Sequence, residues 1–597
     1  LGVSPDIFTN NGTVTGSVLL AGDDDIAILN TGSSISGTLD GGDGTDTLKL
    51  GGTGGSTLDL GNVTGFEILD KIDSGGTLAG TGTIIGAVAV NGTVAPGNSI
   101  GTLHVTGSYA QGAGSIYAVQ LNPSSSDLIA VAGSATVDGT ASVHVAAAVG
   151  AYTVGQQFTI LSATGGVTGQ YGGITDNLAF VDFALDADGN DIFLDVTAAA
   201  TPFDQVARTP NEKAAARGLE SLGAGHAPFD AVFGLTVPDA IRAFDLLSGE
   251  IHPSVVTVLL NDSGDVRDAI LGRLRQSIGG TAAIFAPTLA TLDYGRRAPT
   301  RLADAGDPPL ARQKEMPAPS GLTAWAQPFG GFGHSEGDGN AASLNRATSG
   351  VLAGIDATLV SPGVWRVGLA AGYQGSSVDV GDRASSASVG TYHVAAYGGT
   401  QQGPLGLRAG AAYSGHSLDT RRAVVFPGFA ETERASYGGA TMQGFGEAGV
   451  ALELGRVALE PFAGLAYVDV RTDGFTESGG SAVLHSPGSG ADTLYSSLGL
   501  RGALALPWYG ADGDLIVKGA AAWQHGFGTT VPASSLAFAS SSPFVVAGVP
   551  IAADEAKVEL GLDLKLAANA TLGIAYTGQI AGNAQDHQFS ANFALRF

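Results

Sequence analysis

The sequence holds 597 residues, carries a net charge of −27 and is only 14% charged, yet it contains 92 glycines. A chain this long exceeds one ordinary core and implies several domains. Its glycine-rich, charge-poor composition fits repetitive β structure rather than helical bundles or disorder. Before Arg208 the only basic residues are Lys49 and Lys71, against about twenty acids. Nucleic acid is thereby excluded as a partner of that part, because phosphate binding needs Lys and Arg. There is no cysteine, so no disulfide supports the fold. No run of about 18 uninterrupted apolar residues is present, so no transmembrane helix is expected. The chain starts at Leu1 without a basic-then-apolar signal, and a piece of a longer exported protein is the expectation.

From Asn11 to about Val105 the sequence is made of short β-type pieces punctuated by Gly, such as Thr13-Val14-Thr15-Gly16-Ser17-Val18 and Ser56-Thr57-Leu58-Asp59-Leu60. Strands so short cannot bury a face alone and stack best as rungs of a solenoid. A right-handed parallel β-helix over residues 1–200 is expected, with a β-sandwich as the alternative. Gly41-Gly42-Asp43-Gly44-Thr45-Asp46-Thr47-Leu48-Lys49 fits a calcium-binding nonapeptide. That chemistry needs tandem copies to assemble about 6–8 oxygen ligands. With one copy, a plain Gly/Asp turn is expected, and Asp23-Asp24-Asp25 reads as a solvated turn. Gly97-Asn98-Ser99-Ile100-Gly101 fits a nucleophile elbow, but a turn and a strand flank it where the elbow needs strand and helix. No catalytic, metal or cofactor site is expected.

The stretch Asn91-Gly92-Thr93-Val94-Ala95-Pro96-Gly97-Asn98-Ser99-Ile100-Gly101-Thr102-Leu103, followed by Gly107-Ser108-Tyr109, resembles the passenger-associated repeat of bacterial autotransporters. The resemblance implies that Ser115 to about Thr197, which alternates well in Ile116–Leu121 and Asp191–Val196, is the stable end of a passenger β-helix that folds first and helps draw out the remainder.

The period changes from Pro202. Thr209-Pro210-Asn211-Glu212 is a helix start, with a Thr cap, Pro in the first turn and an acid soon after. A second helical run begins near Pro238, and a third covers 254–276, with Val255, Val258, Leu259, Val266, Ile270 and Leu274 on an apolar side. Asp265, Arg267, Asp268, Arg273 and Arg275 make this helix too charged for lipid; it suits a water-lined pore, and a surface hairpin is the alternative. Leu259 to Asp268 resembles the pre-barrel segment of autotransporters, which implies Asn261 and Asp262 as candidate processing residues, although Asn261 lacks a second Asn after it. Residues 201–320 form this linker, ending in an irregular Pro/Arg-rich connector at Arg296–Pro319.

Residues 321–597 alternate apolar and small-or-polar residues. Val558, Leu560, Leu562, Leu564 and Leu566 share one face, and Glu559, Gly561, Asp563 and Lys565 the other. Twelve strand candidates follow, near 322–333, 347–360, 363–378, 386–401, 404–420, 435–453, 456–473, 491–506, 513–529, 555–566, 570–580 and 587–597. An even number of strands of this length with alternating short and long connections is what an outer-membrane barrel needs. Arg366, Arg408, Glu460, Glu559 and Asp563 are the candidate pore-lining residues. Arg421–Arg434, Thr472–Gly490 and Thr530–Asp554 are the expected loops. Pieces such as Asp382-Arg383-Ala384-Ser385 and Glu460-Pro461-Phe462-Ala463-Gly464-Leu465-Ala466-Tyr467 resemble the autotransporter translocator domain. The resemblance implies that Phe589, Phe593, Leu595 and Phe597 form a signal for the barrel-assembly machinery.

An all-β fold is therefore expected: a right-handed parallel β-helix, an α-helical linker and a 12-stranded transmembrane antiparallel β-barrel. The resemblance implies a monomeric protein that inserts in the outer-membrane bilayer, aided by periplasmic chaperones, and presents its own passenger at the cell surface. Alternatives are an adhesin or autoaggregation factor meeting host or cell-surface ligands, or a carrier for an enzymatic passenger upstream.

Overall fold

The computed structural model describes all residues except 1–3, 31, 52–56, 60–61, 73–75, 85, 98, 278–321, 360–364, 455–456, 508–513, 568–569 and 597. The connector expected at Arg296–Pro319 lies outside the described residues, as does Phe597. The chain forms two compact units. One takes in Leu1–Ala207, Gly223–Ala243 and Phe426–Phe429; the other takes in Arg208–Leu222, Phe244–Val425 and Ala430–Phe597.

The first unit is a parallel solenoid. Ile7–Asn10 pairs in parallel with Ile26–Asn30, that strand with Thr47–Gly51, and the series continues through Ile68–Ile72, Val88–Val90, Tyr109–Gln111, Ala135–Val137 and Val167–Gly169. A second sheet runs from Thr57–Asp59 to Gly173–Thr175, and a third from Gly82–Ile84 onward. The strands supply inward residues to shared columns, a short strand giving one and a longer one up to three: Leu48, Leu69, Val88 and Tyr109 on one sheet, Leu78, Val94, Tyr117 and Val143 on the next. A fully buried aliphatic side chain contributes about 1.5–3 kcal/mol. One rung cannot offset its ordering entropy, whereas a stack can. Turns stack as closely as strands: a Cβ on Gly86, at φ +103°, would lie 1.7 Å from the carbonyl oxygen of Glu67.

Carboxylates tie rung to rung. Asp6 N donates to Asp25 Oδ1 at 2.7 Å, Asp25 N to Asp46 Oδ1 at 2.7 Å, and Asp46 N to Glu67 Oε2 at 2.8 Å. Asp25 and Asp46 are fully buried, which corrects the expected solvated turn at Asp25, whereas Asp23 and Asp24 are exposed as expected. A side chain that accepts from the neighbouring rung's backbone must lie inside the stack, and a single-sequence reading of an Asp run cannot see that neighbour. Among the described residues no group of three or more His, Asp or Glu is placed to hold a metal. Ser99 is exposed, and the strand Thr102–Val105 follows it, not a helix.

The solenoid ends in a change of direction. Gln157–Ala163 pairs antiparallel with Asp191–Ala198, which pairs antiparallel with Val181–Ala187. Four of the five helices that follow are short: α1, Phe203–Val206; α2, Pro210–Glu220; α3, Ala227–Phe233; and α4, Val237–Leu247. The fifth, α5, runs from Ile251 to Ser277. The expected cap is present in full. Thr209 Oγ1 accepts from Glu212 N at 3.1 Å, and Glu212 Oε2 accepts from Thr209 N at 3.3 Å. The sequence reading missed α1 and α3, each under two turns of helix.

The second unit is a closed 12-strand antiparallel barrel. Its strands are Leu322–Ser335, Leu344–Leu359, Trp365–Val380, Ser385–Gln402, Leu405–Phe426, Phe429–Val450, Val457–Thr472, Ser489–Pro507, Asp514–Gly528, Asp554–Ala567, Ala570–Ile580 and Ala584–Arg596. The last strand pairs with both Ala570–Ile580 and Leu322–Ser335, which closes the sheet without an edge. Pleating sorts the side chains as the alternation predicts. Trp365, Leu369 and Tyr373 face outward at 40–63% exposure, whereas Arg366 and Gln374 point in at 8% and 0%. Two of the expected loops are ordered. Phe475–Thr476, Leu484–Ser486, Ala533–Phe538 and Phe544–Ala547 form a small antiparallel rim sheet. The expected loop Arg421–Arg434 is mostly strand, because alternation continues through Arg422, Val424 and Phe426 to a turn at Gly428.

One buried acid sets a pH dependence for the solenoid. Asp127 accepts from Gly101 N and Gln120 N, each at 2.8 Å, and burial pushes its pKa up to about 6 against those two hydrogen bonds. Asp46 is raised too, first by burial and then by Asp25, Glu67 and Asp24, while the Asp25 amide pulls it down. A carboxyl raised on folding contributes stability that is fully present below its unfolded value of about 3.9 and lost as pH rises through about 6. The denaturant midpoint of the solenoid transition, followed by circular dichroism, should therefore fall between pH 4.5 and 7. Asp127→Asn should remove about 2 kcal/mol of that dependence; a midpoint that rises over the same range refutes it.

Candidate functional site: the barrel lumen and its helix

The barrel lumen is occupied by α5, whose sequence explains why it sits there. Val255, Val256, Val258, Leu259, Leu260, Val266, Ile270 and Leu274 are buried, but so are Ser254, Thr257, Asp262, Asp265, Arg267 and Arg273. A helix enclosed on all sides ordinarily reads as apolar all round. This one carries charges because the surrounding wall carries complementary ones. The expected start at 254 moves to Ile251.

At the rim, the first turn of α5 is held by the small sheet. Val549 N donates to Ser254 Oγ at 3.2 Å, and the Thr257 hydroxyl bonds the Val549 carbonyl. His252 Nε2 lies 2.9 Å from Glu477 Oε1, and Arg422 grips the same carboxylate through Nε at 2.9 Å and Nη2 at 2.6 Å. Burial pushes Glu477 up, but Arg422 and the hydrogen bonds outweigh it and hold the group well below the usual carboxylate range.

Midway down, Asp262 pairs with Arg346 and accepts from Ser376 Oγ at 2.7 Å; Arg346 also pairs with Asp586. Asp265 accepts from Gln374 Nε2 at 2.9 Å and Gln588 Nε2 at 2.8 Å. Arg267 lies over the Tyr495 ring, 5.4 Å from its centre, and Lys557 reaches Asp268.

Towards the other rim, Arg273 makes a two-point contact with Asp356 at 2.6 and 2.9 Å, and Arg366 Nε reaches the same carboxylate at 2.6 Å. Tyr397 donates to Asp356 at 3.1 Å and accepts from Trp325 Nε1 at 2.7 Å. Arg275 faces Glu447 at 3.5 Å and Glu559 at 3.7 Å. Behind it, Arg408 and Arg501 bracket Glu447 and Glu460, with Arg501 stacked 3.7 Å from the centre of the Phe462 ring. Two-point and stacked guanidinium contacts are geometries an ammonium cannot copy. Beside the helix a cavity of about 120 Å³ remains, lined in part by Arg267, Asp268, Lys518, Lys557 and Glu559. That is room for a few water molecules.

All five pore-lining residues chosen from the sequence face the lumen. Arg366, Arg408, Glu460 and Asp563 are buried in ionic contacts, and the half-exposed Glu559 meets Arg275. The sequence reading missed Arg346, Asp356, Glu447 and Arg501, although strand parity alone places them on the inner face. Asn261 is partly buried beside a cavity of about 20 Å³ that also touches Arg346, Glu555 and Asp586, whereas its neighbour Asp262 is fully engaged. In the terminal strand, Phe589 and Phe593 face outward at 57% and 44% exposure and Leu595 is half-buried.

Removing one partner of a buried ion pair costs about 3–5 kcal/mol, because the other charge stays buried and unpaired. Arg346→Ala, which orphans both Asp262 and Asp586, should therefore lower the temperature at which the detergent-solubilised barrel loses its compact gel migration. Arg471→Ala, at a pair exposed to solvent, should leave that temperature within measurement error.

Residues 324–577 match the family described as autotransporter beta-domain. Two proteins named "Extracellular serine protease" from Serratia marcescens are 33% and 30% identical over 580 and 579 residues, 88% of this chain and 52% of each relative. The chain thus spans about half the length of the curated relatives it matches. Among solved structures, the translocator domain of the autotransporter NalP from Neisseria meningitidis is 17% identical, with a TM-score of 0.38 over 46% of this chain and 89% of that one. The carboxy-terminal barrel of this chain is an autotransporter beta-domain.

Proposed function

We propose that this chain belongs to an outer-membrane autotransporter that inserts its barrel and carries the solenoid to the cell surface. The domains are the solenoid at 1–200, a helical linker at 201–320 and the translocator at 321–597. One observation carries the reading: the lumen of the barrel holds α5, part of the same chain segment that joins barrel to solenoid. A polypeptide that has passed through its own pore and stopped leaves this arrangement. The outward belt of Leu, Val and aromatic residues suits lipid, and the ionic lumen suits a hydrated passage. Rung-by-rung burial at the outer surface supplies direction, since each rung that stacks is withdrawn from the pore. The aromatic terminal strand serves as the signal to the assembly machinery, with Phe589, Phe593, Leu595 and Phe597 presenting it.

The names of the Serratia relatives favour a second reading of the cargo, in which a catalytic domain precedes the solenoid and the solenoid is its stalk. A surface adhesin is the reading in which the solenoid itself is the cargo. Asn261 and Asp262 are the residues at which processing inside the lumen would occur.

Residues 251–597 reconstituted in a planar bilayer should show small conductance, and deletion of 251–277 should raise it several-fold. Equal conductance of the two forms would place α5 elsewhere and defeat the reading. Deleting Phe597 should abolish insertion and leave the chain in the periplasm, as measured by membrane fractionation. Intact-mass measurement of surface-exposed material tests processing: a fragment ending at Asn261 supports it, and an uncut chain refutes it.

A further inference from the structure

Helices α2 and α3 are neighbours in sequence but belong to different units. The chain leaves the solenoid unit after Ala207, returns to it at Gly223 and leaves it again after Ala243. Each excursion is anchored by contacts within its own unit.

In the barrel unit, α2 is docked on the rim sheet. The Asn211 side chain pairs with the backbone of Ala547 in both directions, Nδ2 donating to its carbonyl at 2.8 Å and Oδ1 accepting from its amide at 2.9 Å. The amide acts as an added stretch of strand on Phe544–Ala547. A Cβ on Gly218 would lie 2.3 Å from the Phe544 ring, so α2 approaches that strand at glycine distance. Ser542 N donates to Ser221 Oγ at 2.8 Å.

In the solenoid unit, α3 is docked just as firmly. Ala179 N donates to Leu235 O at 2.8 Å. Phe203 lies 4.3 Å from Phe180 and stacks 5.1 Å from Phe229, which stacks 6.0 Å from Phe233. A Cβ on Gly234 would meet the Gly150 carbonyl oxygen at 1.8 Å, and Val232 and Leu235 are fully buried. Between the two docked helices, Ala224, Gly225 and His226 are exposed.

We propose that residues 208–243 are a staple that keeps solenoid and barrel together without an unbroken backbone. A chain cut at Ala224–Gly225 yields one fragment with the solenoid and α2, and another with α3 and the barrel. The first fragment's α2 remains on the second fragment's barrel rim, and the second fragment's α3 remains on the first fragment's solenoid. The two joints act as a bivalent pair, and linkage of this kind raises retention by about 10²–10⁴ over either joint alone. Proteolysis at this exposed loop therefore nicks the protein without shedding the solenoid.

The test uses the full chain in detergent and does not depend on export. A site-specific protease sequence is inserted between Ala224 and Gly225, the purified protein is cut to completion, and the fragments are followed by size-exclusion chromatography. The expected result is two bands on a denaturing gel and one native peak. Asn211→Ala with Gly218→Leu, or Phe229→Ala with Phe233→Ala, each opens one joint and should leave one peak. All four together should give separate peaks, with dissociation at least tenfold faster than for the parent. Separation of the parent fragments on cutting overturns the proposal, as does a single peak from the four-fold variant. Should that variant fail to assemble, the parent and the two double variants decide the matter, since separation of the parent or failure of both doubles to stay joined also overturns it.

Discussion

A twelve-strand barrel encloses more space than the side chains of its own wall can fill, and that constraint governs the rest of this unit. The wall residues facing inward are dominated by Gly, Ala, Ser and Thr, with a minority of Arg, Asp and Glu. Small side chains leave a bore wide enough for a helix, and the few charges fix where that helix stops. Asp356, Arg346 and the Arg408–Glu447–Arg501 group lie at successive depths and meet Arg273, Asp262 and Arg275 of α5. A single register of the helix satisfies all three, because a shift of one turn, 5.4 Å, would set each charge against the wrong neighbour. The ionic contacts thus act chiefly as a ruler along the pore.

The solenoid meets the opposite constraint. It has no lumen to fill, and its strands of two to eight residues have little to bury singly. Stability there comes from repetition of a column. Where a rung meets a turn, the stack depends on backbone groups finding partners in the next rung, and the carboxylates of Asp25, Asp46 and Asp127 provide them. Acids do this well because a carboxylate accepts several amide hydrogens at once. The cost is a buried, acid-rich interior with few cations near it, and that produces the pH sensitivity argued above. The antiparallel hairpin Val181–Ala198 covers the last parallel strand of the third sheet, Gln157–Ala163.

Most of this architecture was legible because it rests on periodicity. All twelve barrel strands overlap the segments that period-two alternation marked, the fifth and sixth running on through the expected loop Arg421–Arg434, and Arg366, Arg408, Glu460 and Asp563 face inward as parity requires. The capping box at Thr209 and the charged helix were equally local signals. What escaped was non-local. Asp25 looks like a surface acid until a neighbouring rung covers it. Thr472–Gly490 and Thr530–Asp554 look like loops because neither holds enough alternation alone, yet together they supply the strands of one rim sheet. Helix α3 is too short to announce itself by period and exists because Phe229, Val232 and Phe233 find partners on the solenoid.

Buried ion pairs are weak evidence for stability in general, since desolvation offsets much of the attraction. Their value in this lumen follows from sequence of events. On the proposed route through the barrel, Arg346, Asp356, Glu447 and Arg501 would line a wide, hydrated bore before α5 arrives, so no desolvation would yet have been incurred. A hydrated wall of mixed charge offers an unfolded, acidic, glycine-rich chain nothing to adhere to, whereas an apolar wall would hold each passing Leu and Val. Only a segment with the right charges at the right depths can displace that water and pair every group it buries. Residues 1–207 carry only Lys49 and Lys71 among their many acids and cannot do so, while α5 presents Asp262, Asp265, Arg267, Asp268, Arg273 and Arg275 in succession. On the proposed route the same charges would give passage to one part of the chain and arrest to another, and an apolar lumen of equal packing quality would give only the arrest.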